Sequence, residues 1–307
     1  MRTAKLSVAA IAAIFLTIFL SCESVRDSVK ELEKSLGIQT IASDERVESV
    51  AKSAEAVAKS FEDITPEQEY YIGRAVSATI LDKYEPYTEE SANEYINILG
   101  QALALFSKRP ETFGGYHFLI LDTEEINAFA APGGFIFISR GLLRCANSED
   151  GVASVLAHEI GHVQEKHGLK AIKKSRITSA LAMLAKTTAE TVMTSEELDQ
   201  LTSIFEDTIL DITTTLIDSG YSMAQERVAD LDAVEILKSA GYDPRALIDV
   251  LWVMDAKLEP GGRGFGKTHP DPEDRIKYIE KEIGSYKPPP ASGEKRKERF
   301  TAFMESL

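Results

Sequence analysis

Residues 152–163 are almost wholly apolar, yet they carry His158, Glu159 and His162 in the order H-E-x-x-H. Val152, Val155, Leu156 and Ile160 recur at three- and four-residue steps, the period of a helix with one face in a core. Asn147 or Ser148 is a natural N-cap for it, and Glu149 and Asp150 suit the positive end of its dipole. The spacing therefore predicts a buried helix bearing three ionisable side chains. Residues four apart on a helix are turned by only about 40° from one another, so both imidazoles leave one face and can grip one ion. Glu159 sits beside them, within reach of a water on that ion. The bland reading is a pair of core histidines satisfied by neighbours. The chemical one is a zinc site, in which the metal lowers the pKa of a water to about 7 and a carboxylate takes its proton during attack on a carbonyl carbon.

Two histidines leave zinc short of the three protein ligands that a hydrolytic site usually has. The best donor lies in residues 221–237, YSMAQERVADLDAVEIL, where Val228, Ala229, Leu231, Val234 and Leu237 recur with helical periodicity. Glu226 and Asp230 are then i, i+4 neighbours on one face. Glu226 is assigned as the third ligand, and Asp230 as the carboxylate that orients a ligand histidine through its other ring nitrogen. On their own, these acids would read as a solvated helix face.

Other residues carry weaker signals. Pro132, Gly133 and Gly134 form a turn signal, and Phe135, Ile136, Phe137 and Ile138 a β-prone run after it, either an ordinary interior strand or one that borders the cleft. His269 precedes a turn fixed by Pro270 and Pro272. Near the metal it would either stabilise a tetrahedral oxyanion, as a catalytic residue, or occupy the open coordination position. Arg275 is either a partner for a nearby carboxylate or a surface residue. His167, five residues past His162, falls well off the ligand face of a continuous helix and reads as structural or solvated. His117 reads as a packing histidine.

Four segments together resemble a known family. NAFAAPGGFIFISRGLL from Asn127, LAHEIGH from Leu156, ERVAD from Glu226 and THPDPEDR from Thr268 stand in the order seen in zinc metallopeptidases related to CAAX prenyl proteases and HtpX-type heat-shock peptidases. The resemblance covers roughly residues 63 to 285. It implies a gluzincin-type site with ligands at His158, His162 and Glu226, one zinc per chain and a general base at Glu159. It also implies that Gly134, Phe135, Ile136 and Phe137 form an edge strand, along which an extended substrate is held by its backbone groups. The branch it resembles most is the soluble periplasmic one, since the transmembrane helices of the prenyl-protease and heat-shock branches are not read here.

The first residues bear on the compartment. Arg2 and Lys5 precede an apolar run over 6–20, followed by Ser21 and Cys22. A charged start, a short apolar core and a small residue before a processing point make a signal peptide, and this one resembles that of a bacterial lipoprotein, with Cys22 as the lipidated residue. Phe19 stands where leucine is more usual. A plain cleaved signal and a retained anchor are the alternatives, although the run is short for a membrane-spanning helix. Cys145 would then be a lone, buried thiol, unable to staple the fold. The formal net charge of −15 disfavours nucleic acid and anionic lipid as general partners.

These readings assemble into one expectation. Residues 1–21 are a signal peptide, 22–62 an amphipathic helical stalk or extension, 63–286 a zinc metallopeptidase domain, and 287–307 a proline-rich break with a basic tail. Thr65-Pro66-Glu67-Gln68 marks a capped helix start at the domain boundary. Between the ligand helices, two helices are expected around 171–191 and 195–217, and no internal repeat is found. The fold class is mainly α with a small β-sheet (α+β), with zinc ligands on two core helices. The function expected is endoproteolysis in envelope protein quality control, on protein or peptide substrates such as misfolded envelope proteins, by a periplasm-facing, lipid-anchored chain. The alternative is a chaperone or assembly factor that holds clients in the cleft with little cutting.

Overall fold

The computed structural model describes residues 64–171, 195–257, 272–288 and 293–307. The segments read as a signal peptide and a stalk, Cys22, most of the helix expected near 171–191, and His269 lie outside the described residues. The chain divides into two units, Met1–Gln68 with Ile172–Asp211, and Glu69–Ala171 with Ile212–Leu307. In the first, Thr65 and Gln68 close a reciprocal cap, with Gln68 Oε1 accepting from Thr65 N at 2.9 Å and Thr65 Oγ1 accepting from Gln68 N at 3.3 Å. This cap opens helix α1 (Pro66–Lys83).

The second unit holds the sheet and most of the helices. After α1 come α2 (Glu90–Ala104), strands β1 (His117–Leu121), β2 (Ala128–Ala131) and β3 (Phe135–Ser139), the short α3 (Arg140–Leu143), α4 (Glu149–Gln164) and the single turn α5 (His167–Lys170). Helix α6 (Ser195–Thr214) runs from the first unit into a π-helical turn, Thr215–Ser219. Then follow α7 (Met223–Ala240), α8 (Arg245–Lys257), α9 (Pro272–Ile283) and α10 (Gly293–Glu305). The described chain is thus mostly helical with one three-stranded sheet, an α+β arrangement. Among the described residues no helix is long and apolar enough to cross a membrane.

Strand order in the sheet is β1-β3-β2, with β3 parallel to β1 and antiparallel to β2. This corrects the expectation for Gly134 to Phe137. Phe135, Ile136 and Phe137 lie in the central strand, paired on both sides, and Gly134 belongs to the turn before it, so none of them offers a free edge. The physical reason is legible in the composition, because a strand apolar at nearly every position suits burial on both faces. Gly133 and Gly134 have φ of 78° and 98°, a region costly for any residue with a Cβ, and this lets β2 turn into β3 within three residues.

The two outer edges are treated differently. Along β1, side chains of α2 take the place of a further strand. Asn97 accepts from Phe118 N at 3.1 Å and donates to Phe118 O at 2.6 Å, while Asn93 accepts from Ile120 N at 3.0 Å. Along β2, Asn127 O accepts from Ser139 N at 3.0 Å, so the alternation of an antiparallel ladder turns the backbone groups of Ala128 and Ala130 outward. β2 is therefore the sheet edge on the side of helix α4.

The core joins α2, the sheet, α4, α7, α8, α9 and α10. The segment read as a basic tail is instead a docked helix. Phe303 of α10 is buried and stacks on Tyr95 with ring centroids 4.4 Å apart, so apolar residues at helical spacing among the charges pin it to the fold.

Candidate metal centre

Both helices that carry the expected ligands are well terminated. Ser148 caps α4 by accepting from Gly151 N at 3.2 Å. Ser222 and Gln225 form a capping box at the start of α7, and Gly241, at φ 78°, ends it in the left-handed conformation. The two helices meet at Gly161, where a Cβ would lie 2.9 Å from Ala229 O. A side chain there would force the helices apart one residue from His162, so the close approach that brings α7 to the histidines depends on this glycine.

His158, His162 and Glu226 are buried and converge. The histidine Nε2 atoms are 3.1 Å apart. Glu226 Oε2 lies 3.6 Å from His158 Nε2, and Oε1 lies 3.3 Å from His162 Nε2. A tetrahedral zinc ion with bonds of about 2.0–2.1 Å spaces its ligand atoms about 3.3 Å apart. Each Nε2 stands near that distance from the other and from one Glu226 oxygen, and one ligand atom of each residue lies within 4.8 Å of the other two. Two imidazoles with one carboxylate are a zinc donor set, so the residues present fit the ion.

Around this cluster lies a set of buried charges. Asp230 Oδ1 is 2.9 Å from His158 Nδ1 and accepts from Arg275 Nη2 at 2.6 Å, and Asp230 Oδ2 accepts from Arg275 Nε at 2.9 Å and from Tyr278 OH at 2.5 Å. Burial alone would raise the Asp230 pKa, but the Arg275 guanidinium and His158 outweigh it and hold the carboxyl well below the usual range. Burial likewise disfavours a charged His158, and Asp230 beside it reverses the effect, holding the ring up to about 9. Of the two readings for Arg275, the buried carboxylate partner is the one observed. Tyr278 follows it by three residues and so faces the same neighbour, a spacing that could have flagged it.

Glu159 is buried beside His158, and burial pushes its carboxyl up to about 7. Leu142, Val155, Leu247, Val250, Leu251 and Met254 line the narrow gap next to it, an apolar wall that cannot solvate an anion. Its Oε1 is fully buried with no hydrogen-bond partner among the described residues. A proton-accepting oxygen is thus held ready next to the donor cluster.

His167 departs from the sequence reading. It is buried, and its Nδ1 lies 2.9 Å from Nδ1 of His162. Periodicity placed it off the ligand face by extending α4, but the helix ends at Gln164 and Lys166 adopts φ 55°, ψ 35°, a left-handed turn that swings His167 back. Tyr221, just ahead of α7, stacks on His162 with centroids 4.3 Å apart and 18° between planes, and donates to Ala130 O on β2 at 3.4 Å. No sequence signal marks that stack. His117 is exposed and stacks on Phe135, with Nε2 2.8 Å from Gly114 O, and does not belong to the cluster. Cys145 is a buried free thiol, as expected, its pKa raised by burial.

A buried helix presenting H-E-x-x-H, met at a glycine by a second helix that lends a carboxylate, is the arrangement of metal-dependent peptidases. The chain belongs to peptidase family M48, whose profile matches residues 90–283. It is 27% identical over 205 residues to the beta-barrel assembly-enhancing protease of Yersinia pestis, covering 65% of this chain and 40% of that protein. It is 30% identical over 241 residues to the putative beta-barrel assembly-enhancing protease of Vibrio cholerae serotype O1, covering 73% and 46%. To the mitochondrial metalloendopeptidase OMA1 of Schizosaccharomyces pombe it is 31% identical over 160 residues, covering 50% and 42%. The chain spans less than half the length of each of these curated relatives.

Proposed function

We propose that this chain is a zinc-dependent endopeptidase of envelope protein quality control, held at a membrane by lipid on Cys22 and facing the periplasm. The observation that carries the reading is the convergence of His158 Nε2, His162 Nε2 and a Glu226 carboxylate beside a buried Glu159 whose Oε1 lacks a partner among the described residues. His158, His162 and Glu226 would hold the metal, which when bound supplies the positive charge that acidifies a water and polarises the scissile carbonyl. Glu159 Oε1 would take a proton from a water attacking the scissile carbonyl and pass it to the leaving nitrogen, a transfer suited to a carboxyl raised toward neutrality. Asp230, fixed by Arg275 and Tyr278, keeps His158 in the tautomer that offers Nε2. On the outer edge of β2, Ala128 N and Ala130 O already bond Asn127 and Tyr221, which leaves Ala128 O and Ala130 N to pair with an extended substrate and gives β2 the role first expected of β3.

Proteolysis in the envelope is supported by family membership and by relatives named for β-barrel assembly and for metalloendopeptidase activity. The purified full-length chain should hold one zinc ion and cut an unfolded protein, and a chelator should stop the cutting. Glu159→Gln should keep the zinc while cleavage falls to background. A wild type that prevents aggregation of the unfolded protein without cutting it would instead establish the client-holding reading.

A further inference from the structure

The two ligand histidines are supported in different ways. His158 has an anion at its outer nitrogen, the Asp230 carboxylate 2.9 Å from Nδ1. His162 has another imidazole there, with His167 Nδ1 at 2.9 Å. A hydrogen bond between two nitrogens carries a single proton, so one ring donates and the other accepts. If Nε2 of His162 is to face a cation with His158 Nε2 and Glu226, it must be bare, and a neutral His162 then carries its proton on Nδ1. We propose that His167 is a positioning residue that accepts this hydrogen bond through Nδ1, fixing His162 in the tautomer that presents Nε2 to the metal, with the proton of His167 itself on Nε2.

Several features of the fold serve this contact. The left-handed Lys166 brings His167 back over the end of α4. Gly168 follows it where a Cβ would come within 3.2 Å of the Pro132 ring, so the turn sits close against the start of the 132–134 loop. Tyr221 stacks on His162 and fixes the plane of the ring, while His167 fixes its rotation within that plane. The choice of a neutral acceptor also has an electrostatic reason. Glu226, Glu159 and Asp230 already place three buried carboxyls in this region, and a carboxylate in place of His167 would add a further buried acid to them.

The inference rests on reading His158, His162 and Glu226 as the zinc site, and the test separates the two. Zinc affinity of the full-length chain is measured by competition with a chromophoric chelator, for wild type and for His167→Gln and His167→Leu. Glutamine retains an acceptor oxygen and leucine does not. The leucine variant should lose about 10- to 100-fold in affinity, the range for removing such a partner, while glutamine stays near wild type. Equal affinity in all three, or equal loss in both variants, overturns the proposal and leaves the zinc site standing. A wild type that takes up no zinc overturns both. Should the leucine variant fail to fold, histidine nitrogen-15 shifts of the zinc-loaded wild type decide, since the proposal requires the proton of His167 on Nε2 and a proton on Nδ1 there refutes it.

Discussion

Glu149 and Glu159 stand on the same helix, ten positions apart in the sequence, and both are 2% exposed. Their surroundings differ completely. Glu149 has partners for both oxygens. Arg299 grips it through Nε and Nη2, Tyr242 OH donates to Oε1 at 3.2 Å and Tyr95 OH donates to Oε2 at 3.3 Å. Its place in the first turn of α4 adds the attraction of the helix dipole. Glu159 has an apolar wall on one side and an Oε1 without a partner among the described residues. A buried acid with every lone pair used holds a structure together, whereas one kept short of partners costs stability and is free to do chemistry. Burial alone does not distinguish the two.

The largest expected effect tests Glu159. Glu159→Gln should lower cleavage of an unfolded protein by about 10²- to 10⁴-fold, the usual contribution of a general base. Its thermal midpoint should stay level or rise, because the substitution removes an incompletely satisfied buried carboxylate. A fall in stability matching the fall in rate would show that Glu159 is scaffold after all. Glu149→Ala should invert the pattern. It strips two partly buried tyrosine hydroxyls of their acceptor, while the half-exposed Arg299 is taken up by water, so a cost of about 1–3 kcal/mol is expected. Denaturant titration reads that cost, and the fraction remaining folded should cleave at the wild-type rate per molecule.

The same comparison explains what could be read from the sequence. Helix α4 is legible through Val152, Val155, Leu156 and Ile160, with Asn147 or Ser148 as its cap. Glu226 and Asp230 followed from their i, i+4 spacing on a second periodic segment. These are local patterns with one repeat each. His167 was hidden because a left-handed residue at 166 ended the repeat, and a helical wheel has no meaning past that point. The order of the strands was hidden because pairing is set by partners distant in sequence, and the apolar run 135–138 is compatible with an interior strand as well as with one that borders the cleft. The docking of α10 was written in Phe300 and Phe303 among basic residues, a stripe that charge content masked.

Asp230 extends the contrast into the site itself, since it is an acid of the Glu149 type placed among functional groups. Tyr278→Phe removes its donor at 2.5 Å but leaves the two bonds from Arg275. A hydrogen bond to a charged group contributes about 1.5–3 kcal/mol, and Asp230 keeps other partners, so the low end of that range is expected in denaturant titration. Zinc affinity should weaken only slightly, because His158 keeps Asp230 at its Nδ1. A large loss of affinity with no loss of stability would show that the Tyr278 hydroxyl, and not Arg275 alone, holds Asp230 against His158.

The smallest effect sets the floor of the scale and belongs to an acid that is partnered but exposed. Glu235 lies on α7, the helix that supplies Glu226, and accepts from Lys238 at 2.9 Å while remaining 59% exposed. Lys238 also donates to Glu282 O at 2.9 Å and keeps that bond without Glu235. Water solvates the carboxylate almost as well as the ammonium does, so Glu235→Ala should cost no more than about 0.5 kcal/mol in low salt and less as salt is added. Zinc affinity and cleavage should be unchanged, because nothing on this face of α7 reaches the ligand cluster. A measurable loss of cleavage in this variant would mean that any change of charge on α7 disturbs the site, and the contrast between partnered and unpartnered buried acids would no longer account for which residues matter.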